Sequence, residues 1–315
     1  MINKIIGFWT KSPVMVRRDN FLFVWFGVIV GTVIFLAVLT ILSFSFRIGE
    51  PRYIDYFHYY FLWWPLAAIG GAIFLFQGFW LQLRDAIGRV FSGKPGSWHR
   101  PGAVFYGGFI GSAILAIGLA AYFKISFLYA ADFIFIIIPF FHGLARLGCL
   151  NFGCCYGKKC SPHLPLKVAY THPLSEPVRQ GFPAGESRHA TQLYEMFLCM
   201  GLGIFLLYLA GRVPEGRIFA TYLIGYGLIR FVLEFVRDNT FETTYKGISV
   251  WQLLSLGFVI AGILLWWLLP EKQGLQLSDH YQATDAFKIF LIALWNGAFI
   301  GITLGLHFRK RHELL

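Results

Sequence analysis

Apolar residues gather along this chain in runs of about 20, the length an α-helix needs to cross the hydrocarbon core of a bilayer. Eight runs meet that criterion: Phe21–Phe46, Tyr59–Leu81, Val104–Phe123, Phe127–Leu147, Thr191–Leu209, Ile218–Val236, Ile248–Leu269 and Ala286–Leu306. Pro65 and Pro139 fall inside runs, where neighbouring helices must satisfy the freed backbone groups. The last run is interrupted by an Asn and several Gly. The pattern predicts an all-α polytopic membrane protein without internal repeats.

Most gaps between runs are short, and two are not. Gln82–Ala103 begins amphipathic and turns Gly/Pro-rich, as an interfacial helix leading into an arm would. Leu150–Ala190 is the longest polar insertion and loses helical period after Gly157, so it predicts a small extramembrane head of turns and short strands between spans four and five. The first 20 residues are basic. The run behind them is too long for a signal peptide and lacks a small-residue cleavage site, so no cleavable leader is expected. The expected organisation is a basic segment (1–20), a membrane domain (21–269), and a linker with an eighth helix and basic tail (270–315).

Composition agrees: 57% of residues are hydrophobic and 14% charged, against about a quarter charged in soluble domains. The net charge of +11 reads either as topology and affinity for anionic head groups or as arginines that bind a lipid phosphate. The charges are scattered between spans rather than massed on one face, which argues against nucleic acid. Lys and Arg concentrate on the side holding both termini, Gln82–Ala103, Leu150–Ala190 and Arg237–Gly247, and the positive-inside rule makes that side cytoplasmic.

Intramembrane charge points to the chemistry. Arg146 stands at the edge of the fourth run, in LARLGCLNFGCCYG, and such a charge needs a partner or a task. In the sixth run Tyr226, Arg230, Glu234 and Arg237 share one helical face. A buried Arg–Glu pair that only fixes packing is one reading. The other starts from the surplus positive charge, which a phosphate would match through bidentate guanidinium contacts. In FYGGFIG, Gly107 and Gly108 allow close approach of a ligand or of another helix, and Tyr106 adds an interfacial phenol. SRHATQLYE brings His189, Gln192 and Glu195 to the entrance of the fifth run. Cys149, Cys154, Cys155 and Cys160 lie close in sequence but lack the paired C-x-x-C spacing of a structural zinc site. Packing thiols or one disulfide are expected, and no metal or organic cofactor.

Together these segments resemble the prolipoprotein diacylglyceryl transferase family. YGGFIG is similar to the family's HGG-containing segment, ARLGCLNFGCCYG to the signature built on GRxGN, RHATQLYE to HP(S/T)QLYE, and RFVLEFVRD to R-F-x-x-E-x-x-R, while ISVWQLLSL is similar to the opening of the last family span. They occur in family order over roughly Phe21–Leu269, which implies seven family helices plus the eighth. The resemblance implies transfer of a diacylglyceryl group from phosphatidylglycerol to the lipobox cysteine of a lipoprotein precursor, with glycerol phosphate departing and other membrane lipids as surroundings. By position, Arg146 and Arg230 become the essential arginines, with Tyr106 and His189 as further catalytic candidates. Gly107, Gly108, Gly157 and Gln192 become substrate-binding residues, and Tyr226, Glu234 and Arg237 support Arg230.

Several positions depart from the family pattern. Tyr106 stands for His, and a phenol with a reference pKa of about 10 is a weaker base at neutral pH. Ala145 stands for Gly, Cys149 for Asn and Ala190 for Pro. The family's active face is the outer one of the bacterial plasma (inner) membrane, opposite to the positive-inside count. The alternatives are a non-catalytic lipid-binding protein that keeps the fold, or a related transferase with another acceptor. A lipid transporter is less in keeping with the chain, which lacks midspan charges and repeat symmetry.

Overall fold

The computed structural model describes residues 2–17, 21–71, 102–238, 244–245, 248–278 and 285–308; the side chains of 2, 3, 21, 102–109, 244, 245, 250, 307 and 308 are outside that description. The chain is mostly helical. Helix α1 (Ile2–Trp9) leads to strands β1 (Val14–Arg17) and β2 (Phe21–Val24), then α2 (Trp25–Ser45), α3 (Pro51–Gly71) and α4 (Gly102–Tyr122). Helices α5 (Phe127–Phe135) and α6 (Ile138–Phe152) follow, then β3 (Lys167–Ala169), α7 (Glu176–Arg179) and β4 (Ser187–His189). The remainder is α8 (Thr191–Leu209), α9 (Arg217–Leu233), β5 (Thr244–Tyr245), β6 (Ile248–Ser249), α10 (Val250–Leu268), α11 (Ala286–Gly305) and β7 (Leu306–Phe308).

Four described helices are long and apolar enough to cross a membrane, and a bent pair makes a fifth. Their outer faces expose Phe197, Ile204, Leu253, Leu264, Trp267 and Phe287, as lipid-facing surfaces do. The chain is a multi-pass membrane protein. The Gln82–Ala103 segment falls almost wholly outside the described residues.

Three predicted boundaries moved. Phe21–Val24 is a strand, so the first long helix begins at Trp25; β2 pairs antiparallel with both β1 and β7, tying the two ends of the described chain together. Helix α3 starts at Pro51, ahead of the expected Tyr59. The fourth run is two helices bent by 51°. Pro139, in the first turn of α6, cannot donate to the preceding turn and clashes with it, so the helix restarts there.

The break has a use. Asp132 on α5 is buried and accepts hydrogen bonds from the backbone N–H groups of Gly216 (2.6 Å) and Phe219 (2.8 Å), which caps the N-terminus of α9 from another helix. At the other end of α9, Ser249 caps α10 in a box with Gln252 and donates to Glu234 (2.9 Å). Helix α9 is thereby held at both ends.

The eighth predicted helix is not an appendage. A Cβ on Gly27 would lie 2.3 Å from the Gly301 carbonyl oxygen, and one on Gly31 2.6 Å from that of Gly297. Helices α2 and α11 therefore touch backbone to backbone along small residues spaced by four, the geometry that substitutes for hydrophobic driving force in lipid. Asn296, fully buried between them and α3, donates to the Phe61 carbonyl (2.7 Å).

Between α6 and α8 the chain carries only short elements. β3 pairs antiparallel with β4, while isolated bridges join Gly157 to Arg237 and Lys159 to Arg188. Helix α1 docks beneath: Trp9 donates to the Leu147 carbonyl (2.9 Å) and Asn151 to the Trp9 carbonyl (2.7 Å).

Candidate functional site

Helices α6, α8 and α9 meet around one polar cluster. Close packing brings them together: a Cβ on Gly143 would sit 2.9 Å from the Met196 carbonyl, and one on Gly148 would press on Val30 and Phe26 of α2. His142 and Arg146 are one turn apart on α6. The Arg146 Nη2 donates to Glu195 Oε1 of α8 at 2.6 Å and lies 3.0 Å from His142 Nε2. The same Glu195 oxygen accepts from the Tyr226 hydroxyl of α9 (3.1 Å). Arg230, one turn on, is within electrostatic reach of both Glu195 and His142.

A second ion group continues down α9. Glu234 meets Arg230 at 3.2 Å and Arg237 at 3.7 Å, and Arg230 lies over the Trp251 ring. Three guanidinium groups thus share two carboxylates. The Glu195 and Glu234 side chains are 5% and 1% exposed, whereas Arg146, Arg230 and Arg237 are 17%, 15% and 15% exposed. The carboxylates are sealed, and the arginines are mostly buried with a small exposed fraction. Guanidinium groups gathered in this way are chemically suited to an anion such as a phosphate.

Past α6 the chain doubles back. Arg146 Nη1 reaches the Sγ atoms of Cys149 (3.8 Å) and Cys155 (3.9 Å), and the thiols of Cys149, Cys154 and Cys155 lie within 4.8 Å of one another. No disulfide links any described cysteine. The spacing hid this cluster because the turn at Gly153, in the left-handed region at φ 88°, folds residues five and six positions on back over the helix end.

The predicted site residues divide. Arg146, Arg230, Tyr226, Glu234 and Arg237 come together. Gln192 comes near but faces the cysteine turn, donating to the Cys154 carbonyl (2.7 Å). Gly157 is a packing position: a Cβ there would lie 2.5 Å from that of His189. His189 stands apart, with its Nδ1 3.3 Å from the Tyr194 hydroxyl, and among the described residues no contact joins it to Arg146 or Arg230. Its strand pairs with β3, which turns it toward the short elements. Tyr106, Gly107 and Gly108 lie in α4, their side chains outside the described residues. Two members were missed as site residues, His142 and Glu195. The signal was there: His142 precedes Arg146 by one helical turn, and Glu195 is a carboxylate inside an apolar helix.

The cluster thus sets three arginines and two buried carboxylates where α6, α8 and α9 meet in a helical membrane protein. The comparisons with known proteins identify the family. The chain matches the prolipoprotein diacylglyceryl transferase family over residues 13–268, and it belongs to that family. It is 33% identical over 231 residues to the phosphatidylglycerol–prolipoprotein diacylglyceryl transferase of Nitrosomonas europaea, covering 69% of this chain and 75% of that one. It is 33% identical over 181 residues to the proteins of the same name from Escherichia coli O1:K1 and Shigella boydii serotype 18, covering 52% of this chain and 62% of each relative.

Proposed function

We propose that this protein transfers the diacylglyceryl group of phosphatidylglycerol to the cysteine thiol of a lipoprotein precursor, from the outer face of the bacterial inner membrane. The observation that carries the reading is the convergence of Arg146 of α6 and Arg230 of α9 on one buried cluster, with Glu195 against the first and Glu234 against the second. Arg146 and Arg230 hold the phosphate oxygens. The thiolate attacks the glyceryl carbon, the carbon–oxygen bond to phosphorus breaks, and glycerol phosphate leaves with the bonding pair. The two arginines stabilise the second charge that appears on it. Glu195 fixes the Arg146 fork with help from Tyr226, and Glu234 fixes Arg230. Orientation of two membrane-held substrates supplies much of the remaining acceleration.

The test is a membrane assay with labelled phosphatidylglycerol and a lipobox peptide, comparing wild type with Arg146→Ala and Arg230→Ala. Both substitutions are expected to abolish transfer. Transfer surviving in both would overturn the site assignment, and none in wild type would favour a lipid-binding protein or another acceptor.

A further inference from the structure

We propose that His142 is a positioning residue for the transfer: a neutral imidazole that accepts a hydrogen bond from Arg146, fixes the plane of its guanidinium, and releases it when protonated. This rests on the transfer reading above and adds to it an acid-sensitive element of the site.

The chemistry of the pair assigns the proton. Arg146 Nη2 and His142 Nε2 lie 3.0 Å apart. A guanidinium has N–H donors and no acceptor, so the contact is a hydrogen bond only when Nε2 offers its lone pair. The ring is then neutral and carries its hydrogen on Nδ1. It engages one N–H of Arg146 and none of its charge, which stays for the phosphate. The other Nη2 hydrogen goes to Glu195 Oε1 at 2.6 Å. Glu195 alone would be a pivot about which the guanidinium could swing. A second acceptor on the same nitrogen stops that swing, and an oriented fork is what a developing phosphate charge needs.

The imidazole is itself held. It precedes Arg146 by one turn of α6 and lies 5.0 Å from the Tyr226 ring of α9, which stacks in parallel on Tyr222. The groups that face it are Arg146 on its own helix, Glu195 of α8 with Oε1 3.7 Å from Nε2, Tyr226 and Arg230 of α9, and Cys155 in the turn beyond α6. Helix α2, which also packs on α6, carries no titratable residue.

Protonation converts Nε2 from acceptor to donor. The hydrogen bond to Arg146 is lost, and a second cation faces the guanidinium. The new N–H also competes for Glu195 Oε1. Arg146 thus loses one anchor and shares the other. Transfer should fall on acidification by more than the acceptor thiol alone imposes.

The test follows transfer across pH by the full-length protein in detergent, with labelled phosphatidylglycerol and a lipobox peptide. It compares wild type with His142→Leu and His142→Gln. His142→Leu should lower kcat about tenfold or more and change KM for the lipid much less, because the second phosphate charge develops only in the transition state. His142→Gln supplies an amide oxygen that accepts and does not titrate, so it should recover most of that loss at neutral pH. The ratio of wild-type to His142→Gln activity should fall with falling pH, since the acceptor thiol affects both alike. Nitrogen NMR of histidine-labelled protein, with the His142 signal identified by its loss in His142→Gln, should show hydrogen on Nδ1 and none on Nε2 at neutral pH. Full transfer by His142→Leu, no recovery in His142→Gln, or a ratio constant with pH overturns the positioning role. Hydrogen on Nε2 overturns the pairing itself, whatever the variants do through misfolding. The expected tautomer without any transfer in wild type overturns the transferase reading, and the role in transfer with it, and keeps the Arg146–His142 pair.

Discussion

Arg188 and Arg146 are both held by carboxylates, the first buried and the second mostly so, yet their surroundings differ. Arg188 is 3% exposed, donates to Glu186 (2.6 Å), Asp238 (2.7 Å) and the Gly157 carbonyl (3.2 Å), and stacks 4.0 Å from the Phe182 ring centre. Lys159 joins the same Glu186 at 3.1 Å. Around Arg146 the partners come from three packed helices: His142 of α6, Glu195 of α8 and, through that carboxylate, Tyr226 of α9. Burial and pairing are common to both. Arg188 lies among the short elements between α6 and α8, whereas Arg146 meets its partners where three helices pack, and that location separates a clamp from a candidate binding site.

The comparison can be broken in four ways. The largest effect is expected from Arg146→Lys, which keeps the charge and loses the fork: transfer should fall about a hundredfold or more with little change in Tm. Retained transfer would mean that a point charge suffices. Next, Arg188→Ala should cost about 3–5 kcal/mol by removing the buried guanidinium that joins Glu186 to Asp238. Thermal unfolding in detergent reads this, and an unchanged Tm would remove the clamp from the comparison. Tyr226→Phe deletes one hydrogen bond to a carboxylate, worth about 1.5–3 kcal/mol. It should slow transfer about tenfold or more and lower Tm modestly, whereas His189→Ala, which touches neither Arg146 nor Arg230 among the described residues, should slow it much less. A larger loss in the histidine variant would relocate the site.

The smallest effect is one of pH. Burial acts to raise the Glu186 carboxyl, but the hydrogen bond from Lys159 and the charge of Arg188 outweigh it and hold the group below its ordinary value. Its stabilisation is therefore present at neutral pH and lost as the pH falls through that lowered value. Wild-type Tm should drop on acidification, and Arg188→Ala should drop less. Parallel curves would show that the clamp is not electrostatic.

Much of this molecule was legible in one dimension. The apolar runs located the helices, and the charges inside them located Arg146, Arg230 and their stripe, because lipid makes both kinds of residue conspicuous. Boundaries were less legible where another force won. Phe21–Val24 has the composition of a span but pairs as a strand, and the fourth run breaks ahead of Pro139. His189 looked promising because polar residues surround it in sequence; its strand pairing sets it against Tyr194 and Gly157, with no contact to Arg146 or Arg230 among the described residues.

By itself the sequence determined a helical membrane protein, the segments that carry family likeness, and a surplus of positive charge awaiting an anion. These depend on residue type and spacing along single helices, which short-range physics decides. Only the tertiary structure decided that Glu195 of α8 and His142 of α6 complete the arginine site, and that Asp132 caps a helix 84 residues onward. It alone decided that α11 seals against α2, and that a turn at Gly153 gathers three thiols which their spacing keeps apart. Each of these depends on two helices choosing a common face, a choice made by packing and not written in either helix alone.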